Sequence, residues 1–522
     1  PYFNDDMVTF ILTTRAPEDW KTVSVGKRTF NKVKNSMHID TWDSPTPQEE
    51  VFLIAAPFHE YKYSMGVVDA MAFLRTPDEG LANKYLETTA QYMEMYRKLV
   101  GPYPYTKFAL VENFWETGYG MPSFTLLGEK IIRFPFILHS SYPHELLHNW
   151  WGNSVYVDFE KGNWCEGITV YMADHLIKEQ RNQAENYRRE TLQKFTNYVN
   201  PENDFPLNEF LSRHNEATEA IGYGKSSMFF HMLRRKVGDE LFVKGFQKFN
   251  RDNKFKRASF DDIRISFEDA TEQNLKWFFE QWVDRTGAPE LVLENVKVKS
   301  VRDFNNVSFT LKQIQKEDVF YLDVPVTLVT KDGAHTEVFE MNDREVKYNF
   351  SFKEKPYKIL IDAHFDLFRK LDPMETPPTF TELYGAEKTL IVLPSNNSGL
   401  YKGFIDKWTK GNIDKYEIRN DQMLDELPSD KSVILLGLDN KFVSTINKSI
   451  NSYNSELTND KVTFQSKEYS TENTSFFLTS TNSKNVKMAV ALLSIGNENA
   501  VDGLVRKLPH YGKYSYLDFS GY

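Results

Sequence analysis

The stretch Pro143-His144-Glu145-Leu146-Leu147-His148-Asn149-Trp150-Trp151-Gly152 constrains this chain more than any other. On a helix, residues four apart lie one above the other on the same face, so His144 and His148 converge on one point. Two neutral imidazoles at that spacing suit a tetrahedral zinc site, and the intervening Glu145 then flanks the metal's water. Pro143 is tolerated at a helix start, and Gly152 offers an exit one turn after the second histidine. An amphipathic helix with two incidental histidines has the same pattern, so the zinc reading needs a third ligand downstream.

Glu166, in Asn163-Trp164-Cys165-Glu166-Gly167-Ile168-Thr169-Val170-Tyr171, is the candidate. A carboxylate from a second helix completes the two histidines and leaves the fourth position open, as a catalytic site requires. Ile168, Tyr171 and Leu176 fall on one helical stripe behind Glu166, which predicts a helix running to about Glu179. Alone, a glutamate at a helix start is only a favourable charge near the N-terminal dipole. Beside the histidine pair it becomes the missing ligand.

Residues 144–166 resemble the core of the aminopeptidase N and leukotriene hydrolase family of zinc metallopeptidases, a gluzincin group. The matching residues are His-Glu-Leu-Leu-His-Asn-Trp-Trp-Gly-Asn at 144–153 and Trp-Cys-Glu-Gly at 164–167. The chain has one residue fewer than the family between the second histidine and the glutamate. The family's W-L-N-E-G reads W-C-E-G here, and a turn absorbs such a deletion locally. The resemblance implies one zinc ion per chain on His144, His148 and Glu166, with Glu145 as general base and a peptide as substrate.

Two further segments carry the resemblance. Gly118-Tyr119-Gly120-Met121-Pro122-Ser123-Phe124 is similar to the family's G-A-M-E-N segment, the strand edge along which a peptide lies. This implies a substrate-binding role for Gly120, Met121, Pro122 and Ser123. Pro122, however, stands where the family has the glutamate that grips the substrate's free amine, and it has no N–H to offer a paired peptide. Glu112 and Glu116 are close enough in sequence to replace that charge, although loop carboxylates more often do nothing specific. Ile221-Gly222-Tyr223-Gly224-Lys225-Ser226-Ser227 resembles the family's Y-x-K-G-A helix start, which gives Tyr223 the hydrogen bond to the developing oxyanion. The plainer alternative is one more core tyrosine among 27. His231, eight residues on in an apolar helix, reads as a core residue and not a ligand.

Composition sets the outer bounds. At 522 residues with 41% hydrophobic content, the chain has material for several cores. A net charge of −10 argues against a nucleic-acid partner. No apolar run approaches the length of a transmembrane span. Cys165 is the single cysteine, so there is no internal disulfide framework, and compartment and oligomeric state stay open. The chain opens on Pro1, and the expectation is a divergent, N-terminally truncated family member.

The expected fold is multidomain α+β. Residues 1–62 read as strands, from the alternation Val8, Phe10, Leu12 and the apolar run 51–56, and the resemblance implies that they are the end of an N-terminal β-saddle. For residues 63–288 the resemblance implies a thermolysin-like catalytic domain: the capping box Thr76-Pro77-Asp78-Glu79 starts a helix, and Trp277-Phe278-Phe279-Glu280-Gln281-Trp282 resembles the family segment that closes the domain. Residues 289–372 have the period-two pattern of a β-sandwich, and residues 373–522 suggest a small α/β domain with buried parallel strands. In that domain the turn 394–399 offers an anion cradle at a helix start, an ordinary strand-to-helix turn being the simpler reading. The function that follows is zinc-dependent peptide hydrolysis, most simply of aminopeptidase type. A relaxed or endo-acting peptidase without the amine anchor, or a non-catalytic scaffold, are the alternatives.

Overall fold

The computed structural model describes residues 6–396, 398–451, 454–458, 461–471 and 474–520. It divides into two compact units. The first holds residues 1–189 and 204–368, the second residues 190–203 and 369–522.

The first unit begins with strands. Val8–Pro17, Met37–Gln48 and Lys27–Lys34 form one antiparallel sheet, and Lys21–Ser24 pairs with Leu53–Ala56. Met37–Gln48 has no apolar alternation because the side chains it turns inward are His38, Asp40, Trp42 and Ser44. Burying a carboxylate is tolerable only when it is hydrogen-bonded. Asp40 accepts from the Thr22 hydroxyl at 2.7 Å and the Asn31 amide at 2.7 Å. The run 51–56 is half exposed along one edge, unlike the fully buried strand its composition predicts.

A five-stranded sheet follows, ordered His59–Ser64, Asp69–Leu74, Lys107–Asn113, Phe124–Gly128, Gly118–Met121. A domain boundary at residue 62 would cut the first of these strands. The inner strands are buried along nearly their whole length, with Phe73, Val111, Phe124 and Leu126 in a core shared with Val23 and Phe58 of the N-terminal strands. The short strand Gly118–Met121 is the last in the order and leaves one edge open.

The helix Glu79–Leu99 is capped by Asp78, whose carboxylate accepts the Leu81 N–H at 2.9 Å. The sequence pattern placed the cap at Thr76. Asp78 takes the position because Pro77 lies outside the first turn, two residues short of Glu79. Helices Ala184–Tyr198, Ser226–Val237, Asp239–Asn253, Phe260–Thr271 and Lys276–Val283 follow. Two three-stranded sheets then follow, Leu291–Val301/Phe304–Gln313/Glu345–Phe352 and Gly333–Met341/Leu322–Thr330/Lys358–Ile361, with Phe309 of the first packed on Phe339 of the second.

The second unit is built on a six-stranded mixed sheet. Tyr416–Asn420, Thr389–Leu393, Ser432–Leu436 and Asn485–Ser494 run parallel, Thr474–Asn482 pairs antiparallel with the last of these, and Tyr516–Ser520 pairs antiparallel with Thr474–Asn482 at the edge. Apolar cores occupy both faces, one around Phe404, Ile434 and Phe477, the other around Val392, Leu435 and Ile446. The expected anion cradle includes Asn397, which lies outside the described residues.

Candidate metal centre and active site

The first ligand helix is Ser141–Leu147, shorter than the sequence pattern predicts. It tightens at its end, where Asn149 and Trp150 bond the carbonyls three residues back at 3.1 and 2.9 Å, and Gly152 turns the chain at φ 96°. His148 still donates its N–H to the His144 carbonyl at 3.2 Å, so the four-residue stacking survives. The two imidazole rings lie 4.8 Å apart, with Nε2 atoms 3.2 Å from each other. Glu166 Oε2 is 3.6 Å from each Nε2. A tetrahedral zinc centre with bonds near 2.0–2.1 Å spaces its ligand atoms about 3.3 Å apart. The triangle of 3.2, 3.6 and 3.6 Å therefore fits a single ion, and these three residues could hold one.

The far side of each ring is held as a ligand's should be. His144 Nδ1 bonds Asp174 Oδ2 at 2.8 Å, and His148 Nδ1 bonds the Trp151 carbonyl at 3.1 Å. Both contacts favour the tautomer with its free lone pair on Nε2. Cys165 Sγ also lies 3.3 Å from His148 Nδ1, and burial pushes its thiol pKa well up, so it stays a neutral neighbour.

Asp174 owes its position to an irregular helix. Cys165–Val170 continues into a π turn at Tyr171–His175 and then Leu176–Gln180. In an unbroken α-helix, a residue eight positions after Glu166 points about 80° away from it. The extra residue taken up by a π turn brings that to about 20°. Asp174 and Glu166 thus reach the same histidine pair from one helix.

Glu166 is partly buried. Burial alone would raise its pKa, but the charge of His148, the hydrogen bond and charge of His144 and a hydrogen bond from Tyr223 outweigh that and lower it to about 2. His144 is likewise lifted well above the ordinary imidazole value. Burial works against this, and the charge and hydrogen bond of Asp174 outweigh it. Tyr223 sits in a second π turn, Ala220–Lys225, ahead of the helix Ser226–Val237. The two helices meet at Gly167, where a Cβ would fall 1.9 Å from Ser226 Oγ. That close approach sets the Tyr223 hydroxyl against Glu166, and burial with the Glu166 charge raises the phenol's pKa, so it stays a donor.

Glu145 faces the open sheet edge. A Cβ on Gly120 would lie 2.9 Å from Glu145 Oε2 and 3.1 Å from His148 Cβ, and one on Gly118 would lie 3.3 Å from Glu145 Oε1. Glycine at these positions lets the strand press onto the ligand helix. Any chain pairing with this edge runs beside the Glu145 carboxylate. The edge strand closes in a turn, with Pro122 and Ser123 at its centre and Ser123 at φ 67°, the pattern of a type II turn.

The profile of the peptidase family M1 domain matches residues 138–282, which span all of these residues except the edge strand. The chain is similar to aminopeptidases of yeast and archaea. It is 24% identical over 309 residues to "Aminopeptidase 2, mitochondrial" of Saccharomyces cerevisiae, covering 56% of this chain and 32% of that protein. It is 24% identical over 219 residues to the "Alanine/arginine aminopeptidase" of the same yeast, covering 40% and 25%. With "Probable aminopeptidase 1" of Sulfurisphaera tokodaii it shares 27% over 215 residues, covering 40% and 26%. The matched part of the chain thus spans a third or less of each of these relatives.

The two carboxylates close enough in sequence to replace the resembling family's amine anchor are bound elsewhere in this chain. Glu112 is buried, with Oε2 accepting the Arg75 N–H at 2.6 Å and Oε1 paired with Arg133 at 2.6 Å. Glu116 caps the short helical turn after Gly128, taking the N–H groups of Lys130 and Ile131 at 3.1 and 3.2 Å. Neither is free to hold a substrate ammonium. Of the remaining strand residues, Gly120 borders Glu145, Met121 packs into the sheet core, and Pro122 and Ser123 shape the turn. His231 is a core residue, bonded to Asp366 at 2.9 Å and Tyr171 at 3.2 Å.

Sequence reasoning missed Asp174, Trp151 and Asn153. A carboxylate eight residues after Glu166 has no helical-face signal, and a backbone carbonyl leaves none. Asn153 was visible in the matched motif, but without a contact it had no assignable role.

Proposed function

We propose that this chain hydrolyses peptides as a zinc-dependent enzyme of aminopeptidase type. The observation that carries the reading is the His144–His148–Glu166 triangle with Glu145 beside it on an open strand edge. A zinc ion on the three ligands would supply Lewis acidity, polarising a carbonyl and making a water acidic enough to attack at neutral pH. Every other step falls to the chain. The strand Gly118–Met121 aligns the peptide backbone, which turns encounter into a positioned reaction. The carboxylate of Glu145 takes the attacking water's proton and hands it to the departing amine. The Tyr223 phenol, kept protonated by burial, donates to the carbonyl oxygen as negative charge gathers there. Asp174 and the Trp151 carbonyl hold the two imidazoles in place.

A scaffold without catalysis has no need of Glu145 beside a complete ligand set. As part of the same proposal we take residues 63–288 as the catalytic domain, followed by a sandwich to 372 and an α/β domain to 522. Support for this division is the change from helices to strands after Val283. The deciding experiment measures zinc per chain and single-residue release from unblocked peptides, before and after chelation and after zinc is returned. Activity indifferent to chelation, or protein that purifies without zinc and takes none up, overturns the reading.

A further inference from the structure

We propose that Asn153 is a positioning residue that closes the peptide-pairing edge at Gly120 and so sets how many residues precede the cleaved bond. The proposal rests on the peptide-hydrolase reading and adds to it the device that makes cleavage terminal.

Gly128 donates its N–H to the Thr117 carbonyl at 3.0 Å. In an antiparallel pair, bonded and non-bonded residue pairs alternate, so Tyr119/Leu126 and Met121/Phe124 are the bonded pairs. The amide groups of Gly118 and Gly120 then point outward, away from Phe124–Gly128. Among the described residues, the N–H and C=O of Gly118 and the N–H of Gly120 have no hydrogen-bond partner. The Gly120 carbonyl does, because Asn153 Nδ2 donates to it at 3.1 Å. Beyond that point Pro122 has no N–H, and the Ser123 N–H is spent on Asn149 Oδ1 at 2.7 Å. The usable edge is therefore three groups long and sealed at one end.

Asn153 is firmly seated. Its N–H donates to the His148 carbonyl at 3.0 Å, and its own carbonyl accepts the Tyr105 hydroxyl. A strand added to a sheet edge takes its register from main-chain hydrogen bonds. A peptide extending past Gly120 finds its acceptor already occupied and must leave an N–H unpaired or displace the Asn153 amide. A peptide whose backbone ends there loses nothing. Because Glu145 lies against Gly118 and Gly120, the sealed end stands next to the reacting bond. Terminal selectivity then comes from a blocked acceptor and needs no carboxylate anchor from Glu112 or Glu116.

The test uses the zinc-loaded full chain, one hexapeptide with a free N-terminus, and the same peptide N-acetylated. Asn153→Asp keeps the side chain's shape without the N–H donor, and Asn153→Ala removes both. Zinc content and Tm are checked for each, and Asn153→Asp decides if the alanine variant is unstable. Wild type should release single residues. Both variants should release dipeptides among the first products by mass spectrometry. Their acetylated-to-free ratio of kcat/KM should rise about three- to tenfold, the worth of one neutral hydrogen bond. An active wild type whose variants keep the same first product and ratio overturns the role of Asn153. A zinc-loaded wild type that cleaves neither peptide overturns the peptidase reading, and the register with it.

Discussion

Replacing Gly120 with alanine tests the catalytic geometry more directly than removing a catalytic group. The new Cβ would stand 2.9 Å from Glu145 Oε2, 3.1 Å from His148 Cβ and 3.3 Å from the Glu145 carbonyl. Ordinary contact for such pairs is about 3.5 Å or more. Two of the three atoms belong to a packed ligand helix, so the strand or the Glu145 carboxylate must give way by several tenths of an ångström. A displacement of about 1 Å at a reacting group costs on the order of a hundredfold. Complete loss of general-base assistance costs about 10²- to 10⁴-fold. We expect Gly120→Ala to lower kcat by about ten- to a hundredfold with zinc content unchanged. The assay is steady-state hydrolysis of an unblocked fluorogenic peptide in a cycle with Glu145→Gln. If the methyl acts by misplacing Glu145, it has little further effect in the Glu145→Gln background, where no base remains to misplace. Independent, additive losses would mean that alanine acts on peptide pairing instead. A Gly120→Ala enzyme with more than half the wild-type rate would refute the close approach itself.

Asp174→Asn should weaken zinc binding about ten- to a hundredfold, read by chelator competition, because it removes the acceptor that orients His144. Unchanged affinity would detach Asp174 from the site. Tyr223→Phe should keep its zinc and lose about 10²- to 10³-fold in kcat with little change in KM. A loss confined to KM would place the phenol in substrate binding. In the second unit, burial raises the Glu382 carboxyl pKa to about 7 despite the Thr379 N–H that bonds it. The folded state therefore holds a proton that the unfolded chain has released between about pH 4.5 and 7. The stability tied to that proton is full below this window and lost as pH rises through it, by up to about 3 kcal/mol. Glu382→Gln should flatten that slope in urea melts at pH 5 and pH 8, and an unaltered slope would assign it to another group.

The convergence of His144 and His148 was legible in the sequence because it is local. Four residues on a helix fix where His144 and His148 point, whatever surrounds them. Glu166 was legible for a related reason, since a helix start after a turn is written in its own residues. The strands of the sandwich and the parallel strands 389–393 and 432–436 announced themselves by period and by unbroken apolar runs. The strand Met37–Gln48 did not, because its inward residues are polar and are made tolerable only by Thr22 and Asn31 on neighbouring strands.

What surrounds the ligands was decided by tertiary structure. A π turn, whose position no propensity marks, carried Asp174 onto the histidine it holds. Glu112 looked like a free acid from its sequence neighbourhood, and only Arg75 and Arg133, distant in the chain, turned it into a buried structural ion. The resemblance gave Gly120 a place on the substrate strand, and only the helix pressing on it made its missing side chain a requirement. Local spacing tells which atoms can ligate. Contacts between segments far apart in sequence decide which carboxylates stay free, how closely the strand approaches, and where its edge is sealed.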